Sequence, residues 1–337
     1  MKEPLPRTVR FRPGERNVFL HLLTACNLAC RHCYINPSQH GTSILSPATA
    51  VQWLGSLAAP GRETNLVLLG GEPTLHPELP AIIHAARGLG YRSITVDTNG
   101  FLFHEFLDRV GPAALDFLSF SLDGPDATVN DPIRGEGVFA TCTTNLREAV
   151  HRGFTVSLIF TVSRLNLSAL AAMPPLLAAW GVSRFFIQVI GIRGKPAVNG
   201  QESLQLSPQE WLAAVPPVAS AAARLGIHTV FPKVFLDSDE PFQCAGAVAD
   251  NLFVFPNGRV YRCPLCEDYP VHAFVMKDGR LEKQQGLTED RFFGLAVPEG
   301  CVMHRLLQPG NLEYDEKGRP VWRVSCCLLK QEIPAGG

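Results

Sequence analysis

The chain has 337 residues, 46% of them apolar and 18% charged, which is enough for one large α/β domain with a smaller appendage and for an ordinary buried core. Lys and Arg number 30 against 31 Asp and Glu, so no basic field exists to attract nucleic acid or an anionic membrane. The first residues lack the apolar core of a secretory signal and no later run has the length of a membrane span, so a cytoplasmic protein is expected, without nucleic acid or membrane as partner.

Residues 1–16 read as a leader, too short for a fused peptide-binding domain, and 17–24 as an apolar strand. Directly after it, Cys26, Cys30 and Cys33 fall within eight positions, followed by Tyr34. Thiolates in that density favour an iron-sulfur cluster or zinc, and three of them can hold three corners of a cubane while one metal stays open. Zinc usually takes a fourth protein ligand, and His32 is the local candidate. A disulfide framework suits neither the size nor the compartment.

Strand and helix then alternate. Ser46 and Pro47 open a helix to about 59; strands follow at 65–69, 93–98, 117–121, 155–162 and 184–189. Helices are expected at 77–89, after 103, at 138–152, 168–180 and 208–225, the last kinked or split at Pro216-Pro217 because neither residue donates to the helical ladder. Six such units imply a parallel sheet with helices outside, as an open doubly wound sheet or a barrel. Beyond Gly226 the pattern changes to hairpins around Pro256-Asn257-Gly258, Asp278-Gly279 and Lys317-Gly318, and these carry Cys244, Cys263, Cys266, Cys301, Cys326 and Cys327. A region with so little regular structure is expected to be stapled by metal. Cys142 reads as a buried structural thiol and His21 as a hydrogen-bonded core histidine.

Further motifs fall at strand ends. Gly70 and Gly71, before Glu72 and Pro73, allow close backbone approach to a ligand, and Glu72 supplies an acceptor. Thr98 and Asn99 end one strand, Ser121 and Asp123 the next, with Arg134 beyond and Gln188 near the end of the sixth. Taken singly, these segments also read as ordinary turns.

The string from Cys26 to Tyr34 resembles the cluster loop of the radical S-adenosylmethionine (radical SAM) superfamily, and Gly70 to Pro73 resembles its GGE segment. The resemblance decides for a partial (β/α)6 TIM-like barrel over 17–226 with a small hairpin-rich cysteine domain over 227–337. It implies that Cys26, Cys30 and Cys33 hold a 4Fe-4S cluster whose open iron is chelated by S-adenosylmethionine, with a deoxyadenosyl radical abstracting a substrate hydrogen. It implies cofactor binding by Tyr34, Gly70, Gly71, Glu72, Pro73, Thr98, Asn99, Ser121, Asp123, Arg134 and Gln188, and a low-potential donor such as flavodoxin or ferredoxin. Cys244 and the hairpin ending in Cys263 resemble the opening of a SPASM domain, yet its usual cysteine run is missing. A shortened, twitch-like domain with one auxiliary 4Fe-4S cluster is therefore implied, on Cys244, Cys263, Cys266, Cys301 and Cys327, with zinc as the alternative and Cys326 competing for the last place. Peptide maturation by oxidation or cross-linking is the leading expectation for the reaction; a small sugar, nucleoside or cofactor precursor is the second. A cluster- or zinc-bearing electron-transfer scaffold without catalysis is the reading from another class. No catalytic acid or base stands out.

Overall fold

The computed structural model describes residues 5–336 apart from 60, 104, 199, 201–203, 238, 309 and 311, so residues 1–4 of the expected leader lie outside the described residues. Its strands are β1 (Arg7–Val9), β2 (Glu15–His21), β3 (Glu63–Leu69), β4 (Ser93–Thr98), β5 (Phe117–Ser121), β6 (Val156–Val162), β7 (Arg184–Val189), β8 (His228–Pro232), β9 (Asp250–Val254), β10 (Arg259–Tyr261), β11 (Phe274–Lys277), β12 (Arg280–Lys283) and β13 (Lys330–Ile333). They form one sheet in the order β1-β13-β8-β7-β6-β5-β4-β3-β2-β9-β10-β11-β12.

The six expected strands are β2 to β7, all parallel, with helices between them. The sheet then continues past residue 226: β8 adds a parallel strand beside β7, and β9 adds another on the far side of β2. The boundary expected at 226 is thus crossed by the sheet, because a short run after Gly226 still completes a strand-helix-strand unit. Two of the expected hairpins are β9-β10 and β11-β12; the third is a single antiparallel bridge between Tyr314 and Pro320. The leader also takes part, since β1 pairs with β13, which in turn pairs with β8.

Alternation along the strands separates two environments. In β4 the pattern is half-buried then buried, with Ile94 and Val96 fully inside. These residues, with Val18, Leu20, Leu66, Leu68, Leu118, Phe120 and Leu158, pack under the helices and form the main core. Their alternates Thr95, Asp97, Ser119, Ser121, Ser157 and Thr161 turn to the other face beside Phe19, Val67, Phe117, Ile159 and Phe186, so the barrel lumen sets a few polar groups in a largely apolar lining. At its lower rim an asparagine ladder crosses three strands: Asn65 donates to Asn17 (3.0 Å) and Asn17 to Asn251 (3.0 Å).

Helix starts follow their caps. Ser46 accepts from Thr49 N (3.0 Å), and Ser207 forms a capping box with Glu210. Pro216 and Pro217 do not split the last helix, which runs unbroken from Pro208 to Arg224. The carbonyls they leave without donors belong to Leu212 and Ala213, both exposed and open to water, while Trp211, Val215, Ala219 and Ala222 hold the other face in the core. The helix expected at 168–180 begins as a 3-10 turn, Leu167–Ala172, before Met173–Ala179, whose second and third residues are prolines. A helix at Ala127–Arg134, capped by Asp126, was not foreseen because Pro132 lies inside it. Among the described residues no helix is long and apolar enough to cross a membrane.

Candidate metal and cofactor site

The cysteine loop springs from the C-terminal end of β2, over a cavity of about 510 Å³ formed by the lumen and its upper rim. Cys26, Cys30, Cys33, Tyr34, Gly70, Gly71, Glu72, Thr98, Asn99, Ser121, Arg134 and Gln188 all line it. Pro73 and Asp123 do not: Pro73 starts the 3-10 turn Pro73–Leu75, and Asp123 is fully buried behind the wall.

Three segments fix the loop. Gly71 N donates to Leu23 O (2.8 Å) and Glu72 N to Ala25 O (3.0 Å). A Cβ on Gly70 would stand 2.5 Å from Leu23 O, and one on Gly71 2.1 Å from Ala25 O. The two glycines are thus required by the approach of the cysteine loop's own backbone, a different cause from the ligand approach read in the sequence. From a second side, Arg31 N donates to Ile133 O (2.9 Å). From a third, Lys195 N donates to Cys33 O (2.9 Å) and Lys195 Nζ to Cys30 O (3.3 Å). Gly194, at φ 62°, lies so close that a Cβ would meet Tyr34 C at 2.5 Å. The sequence reading missed this clamp; its signal was a left-handed glycine shortly after a strand end.

Glu72 is 1% exposed. Its Oε1 accepts from Thr74 N (3.0 Å) and the Thr98 hydroxyl (2.7 Å), and its Oε2 from Asn99 N (2.7 Å). Burial pushes its pKa up while these donors pull it back. Asn99 carries the connection onward, donating to Asn27 Oδ1 (2.9 Å) and lying 3.6 Å from Cys26 Sγ. Arg134 Nε stands 2.6 Å from Asp123 Oδ2, and His32 Nε2 is 3.4 Å from the same oxygen. Asp123 Oδ1 accepts from Thr161 N (2.8 Å), so this carboxylate anchors Arg134 at the wall rather than facing the cavity.

Tyr34 has its ring under the Arg193 guanidinium (4.5 Å) and its hydroxyl 2.8 Å from His21 Nε2. His21 Nδ1 lies 3.0 Å from Val254 O, an acceptor, so the neutral ring donates there and accepts from Tyr34. Burial lowers its pKa to about 3, in keeping with a hydrogen-bonded core histidine.

The second thiol group is drawn together by chain segments far apart in sequence. Cys263 caps and Cys266 ends the 3-10 turn Pro264–Cys266, Cys244 and Cys301 each precede a short helix, and Ala245 N donates to Cys326 Sγ (3.4 Å). Cys327 and Cys301 reach the main cavity, whereas Cys244, Cys263, Cys266 and Cys326 lie behind it. Cys142 is buried against Gly100 and Phe120, as a structural thiol should be.

The residues fit thiolate-bound iron. Cys26, Cys30 and Cys33 open onto one cavity; burial raises the Cys26 thiol to about 11 and lifts Cys30 as well, so a metal cation is what would make them thiolates near neutral pH. Among the described residues no group of three or more His, Cys, Asp or Glu side chains is already closed into a metal-holding arrangement.

Residues 20–172 match the sequence profile of the Radical SAM superfamily. The chain is 33% identical over 201 residues to the pre-heme d1 synthase of Dinoroseobacter shibae, which covers 58% of this chain and 48% of that protein. It is 32% identical over 207 residues to the Fe-coproporphyrin III synthase of Methanosarcina barkeri, covering 60% and 51%. It therefore spans about half the length of these curated relatives. Among solved structures, Streptococcus suis SuiB bound to its precursor peptide SuiA overlays with a TM-score of 0.60 at 13% identity, covering 89% of this chain and 65% of that one, a likeness of fold.

Proposed function

We propose that the chain, whose residues 20–172 match the Radical SAM superfamily, is a member of that superfamily and an enzyme holding a 4Fe-4S cluster on Cys26, Cys30 and Cys33, with S-adenosylmethionine as its second cofactor. When bound, the reduced cluster and S-adenosylmethionine supply a 5′-deoxyadenosyl radical, which takes a hydrogen atom from substrate. The observation that carries the reading is the opening of all three thiols onto one cavity whose wall is Gly70 to Glu72, Asn99 and Arg134. In that wall Glu72 offers buried negative charge to an ammonium, and Arg134, held by Asp123, offers a guanidinium to a carboxylate. Gln188 and Ser121 add polar contacts for the rest of the cofactor. A low-potential flavodoxin or ferredoxin is the donor expected for such a cluster.

The hairpin region supplies a second metal group in this reading, on Cys244, Cys263 and Cys266 with a fourth ligand from Cys301, Cys326 or Cys327. Cys326 is favoured for that place by its position beside Cys244, through the bond from Ala245. We take the substrate to be a precursor of a cofactor, in line with the names of the two relatives at 32–33% identity. A peptide is the second reading, supported by the overlay on a protein solved with its precursor peptide.

Anaerobic incubation with dithionite and S-adenosylmethionine tests the central claim. The wild-type chain releases 5′-deoxyadenosine, and the Cys26→Ala/Cys30→Ala/Cys33→Ala chain releases none. Equal release by both would overturn the assignment; none from reconstituted wild type would leave an electron-transfer scaffold.

A further inference from the structure

We propose that the inner part of the barrel cavity is a carboxylate-binding subsite made by Lys330 and Arg184, so that the substrate carries a carboxylate and lodges it away from the cysteine loop. The inference rests on reading this cavity as the substrate chamber.

Both side chains line the cavity. Arg184 is the first residue of β7 and so stands at the opposite end of that strand from the rim bearing the cysteine loop. Lys330 arrives from β13, which is inserted between β1 and β8, and its ammonium lies 4.9 Å from the centre of the Phe186 ring. The Arg184 guanidinium lies 4.2 Å from the centre of Phe117. Among the described residues neither cation has a hydrogen bond or a close ion pair; each rests on an aromatic face. Burial lowers both pKa values; the Arg184 charge lowers that of Lys330 further while Asp97 offsets part of it, and Glu332 offsets part of the burial at Arg184.

The acids nearby do not cancel this charge. Glu332 is taken by Arg7, whose Nε is 2.6 Å away, and lies 3.6 Å from His228. Asp97 faces the lumen, receives a hydrogen bond from Ser119, and is pushed to about 6 by burial, so it brings at most one negative charge against two positive ones. Two partly desolvated cations in one chamber call for an anion.

The chemistry favours a carboxylate over a phosphate. Phosphate sites draw on free backbone N–H groups at glycine loops and helix starts. Here the subsite is walled by strands whose N–H groups are spent in the sheet ladders, leaving side chains alone: a planar guanidinium fork, an ammonium, and the hydroxyl of Ser157, that of Ser119 being given to Asp97. Set against the one negative charge Asp97 can bring, two cations leave room for one carboxylate in charge.

The test is calorimetric titration of the full-length chain at constant ionic strength with glutarate, its uncharged diamide glutaramide, and inorganic phosphate. Glutarate is expected to bind, glutaramide not to, and phosphate to bind more weakly than glutarate. Lys330→Gln and Arg184→Gln should each weaken glutarate by about tenfold or more, and Lys330→Arg should keep it within a few-fold. Melting curves accompany each variant, and Lys330→Arg keeps the question answerable if Lys330→Gln fails to fold. Absence of glutarate binding, equal binding of the diamide, tighter binding of phosphate, loss of binding in Lys330→Arg with a normal melt, or an unaffected Lys330→Gln would each overturn the proposal. The titration needs neither reductant nor S-adenosylmethionine, so its failure leaves the deoxyadenosine assay standing, and the reverse holds too.

Discussion

Replacing Glu72 by Gln is the sharpest probe of the cavity wall, because each carboxylate oxygen receives a backbone N–H: Thr74 N on Oε1 at 3.0 Å and Asn99 N on Oε2 at 2.7 Å. Glutamine keeps the volume but offers one acceptor, and either orientation of its amide sets an NH₂ against one of those two donors. One buried donor left without a partner costs about 1–3 kcal/mol. At about 2.1 cal/mol/K per residue, 337 residues give an unfolding entropy of about 0.7 kcal/mol/K, so the loss corresponds to roughly 1.5–4 °C in Tm. Slack at Asn99 also reaches the cysteine loop, since that side chain bonds Asn27 and lies 3.6 Å from Cys26 Sγ. The assay is urea and thermal unfolding under argon, with iron uptake measured in parallel. Stability equal to wild type would refute the claim that this carboxylate ties β4 to the 3-10 turn, and with it the reason for treating Glu72 as a fixed, charged wall.

Acid should weaken the fold through His21 and His40, which stack on either side of Phe255 at 4.0 and 3.9 Å. Burial lowers them to about 3 and about 4, against 6.5 for the unfolded chain, so below pH 6.5 unfolding takes up a proton at each and stability falls with falling pH. The slope is about 1.4 kcal/mol per pH unit for each histidine, and His40→Gln should remove one share of it between pH 6.5 and 5. Identical slopes for wild type and variant would refute the assignment. For the second thiol group, the Cys26→Ala/Cys30→Ala/Cys33→Ala chain, reconstituted anaerobically, should retain iron and acid-labile sulfide for one cubane. Zinc without sulfide would make that group a structural zinc site instead.

What the sequence disclosed follows the range of the forces involved. Ser46-Pro47 and Ser207 announced their helices because a cap acts over three residues, and the hairpins at Asn257-Gly258 and Asp278-Gly279 were legible because turn geometry is local. The three thiols and the Gly70-Gly71-Glu72 segment were legible as a motif, while the physical cause of the glycines was not. Their neighbours Leu23 and Ala25 lie nearly fifty positions earlier, and only the pairing of β2 with β3 brings the two backbones together. The same limit hid the clamp at Gly194 and Lys195, and the burial of Asp123 against Arg134.

The lumen shows this most clearly. Alternation in Ser93–Thr98 says that Thr95 and Asp97 share a face, but a face becomes a chamber only when the sheet curls and its far edge is closed. That edge is built by β13, which enters antiparallel between β1 and β8 and so joins the first residues of the fold to the last. Lys330 is unremarkable in a short polar strand near the C-terminus; it acquires a role through Pro232, its partner in register on β8, and through Phe186 on the next strand inward. A residue of the hairpin region thereby reaches into the barrel that carries the cysteine loop. Arg184 belongs to the barrel wall itself and Lys330 comes from the C-terminal region, so the proposed anion subsite can change through β13 while the cysteine loop stays as it is.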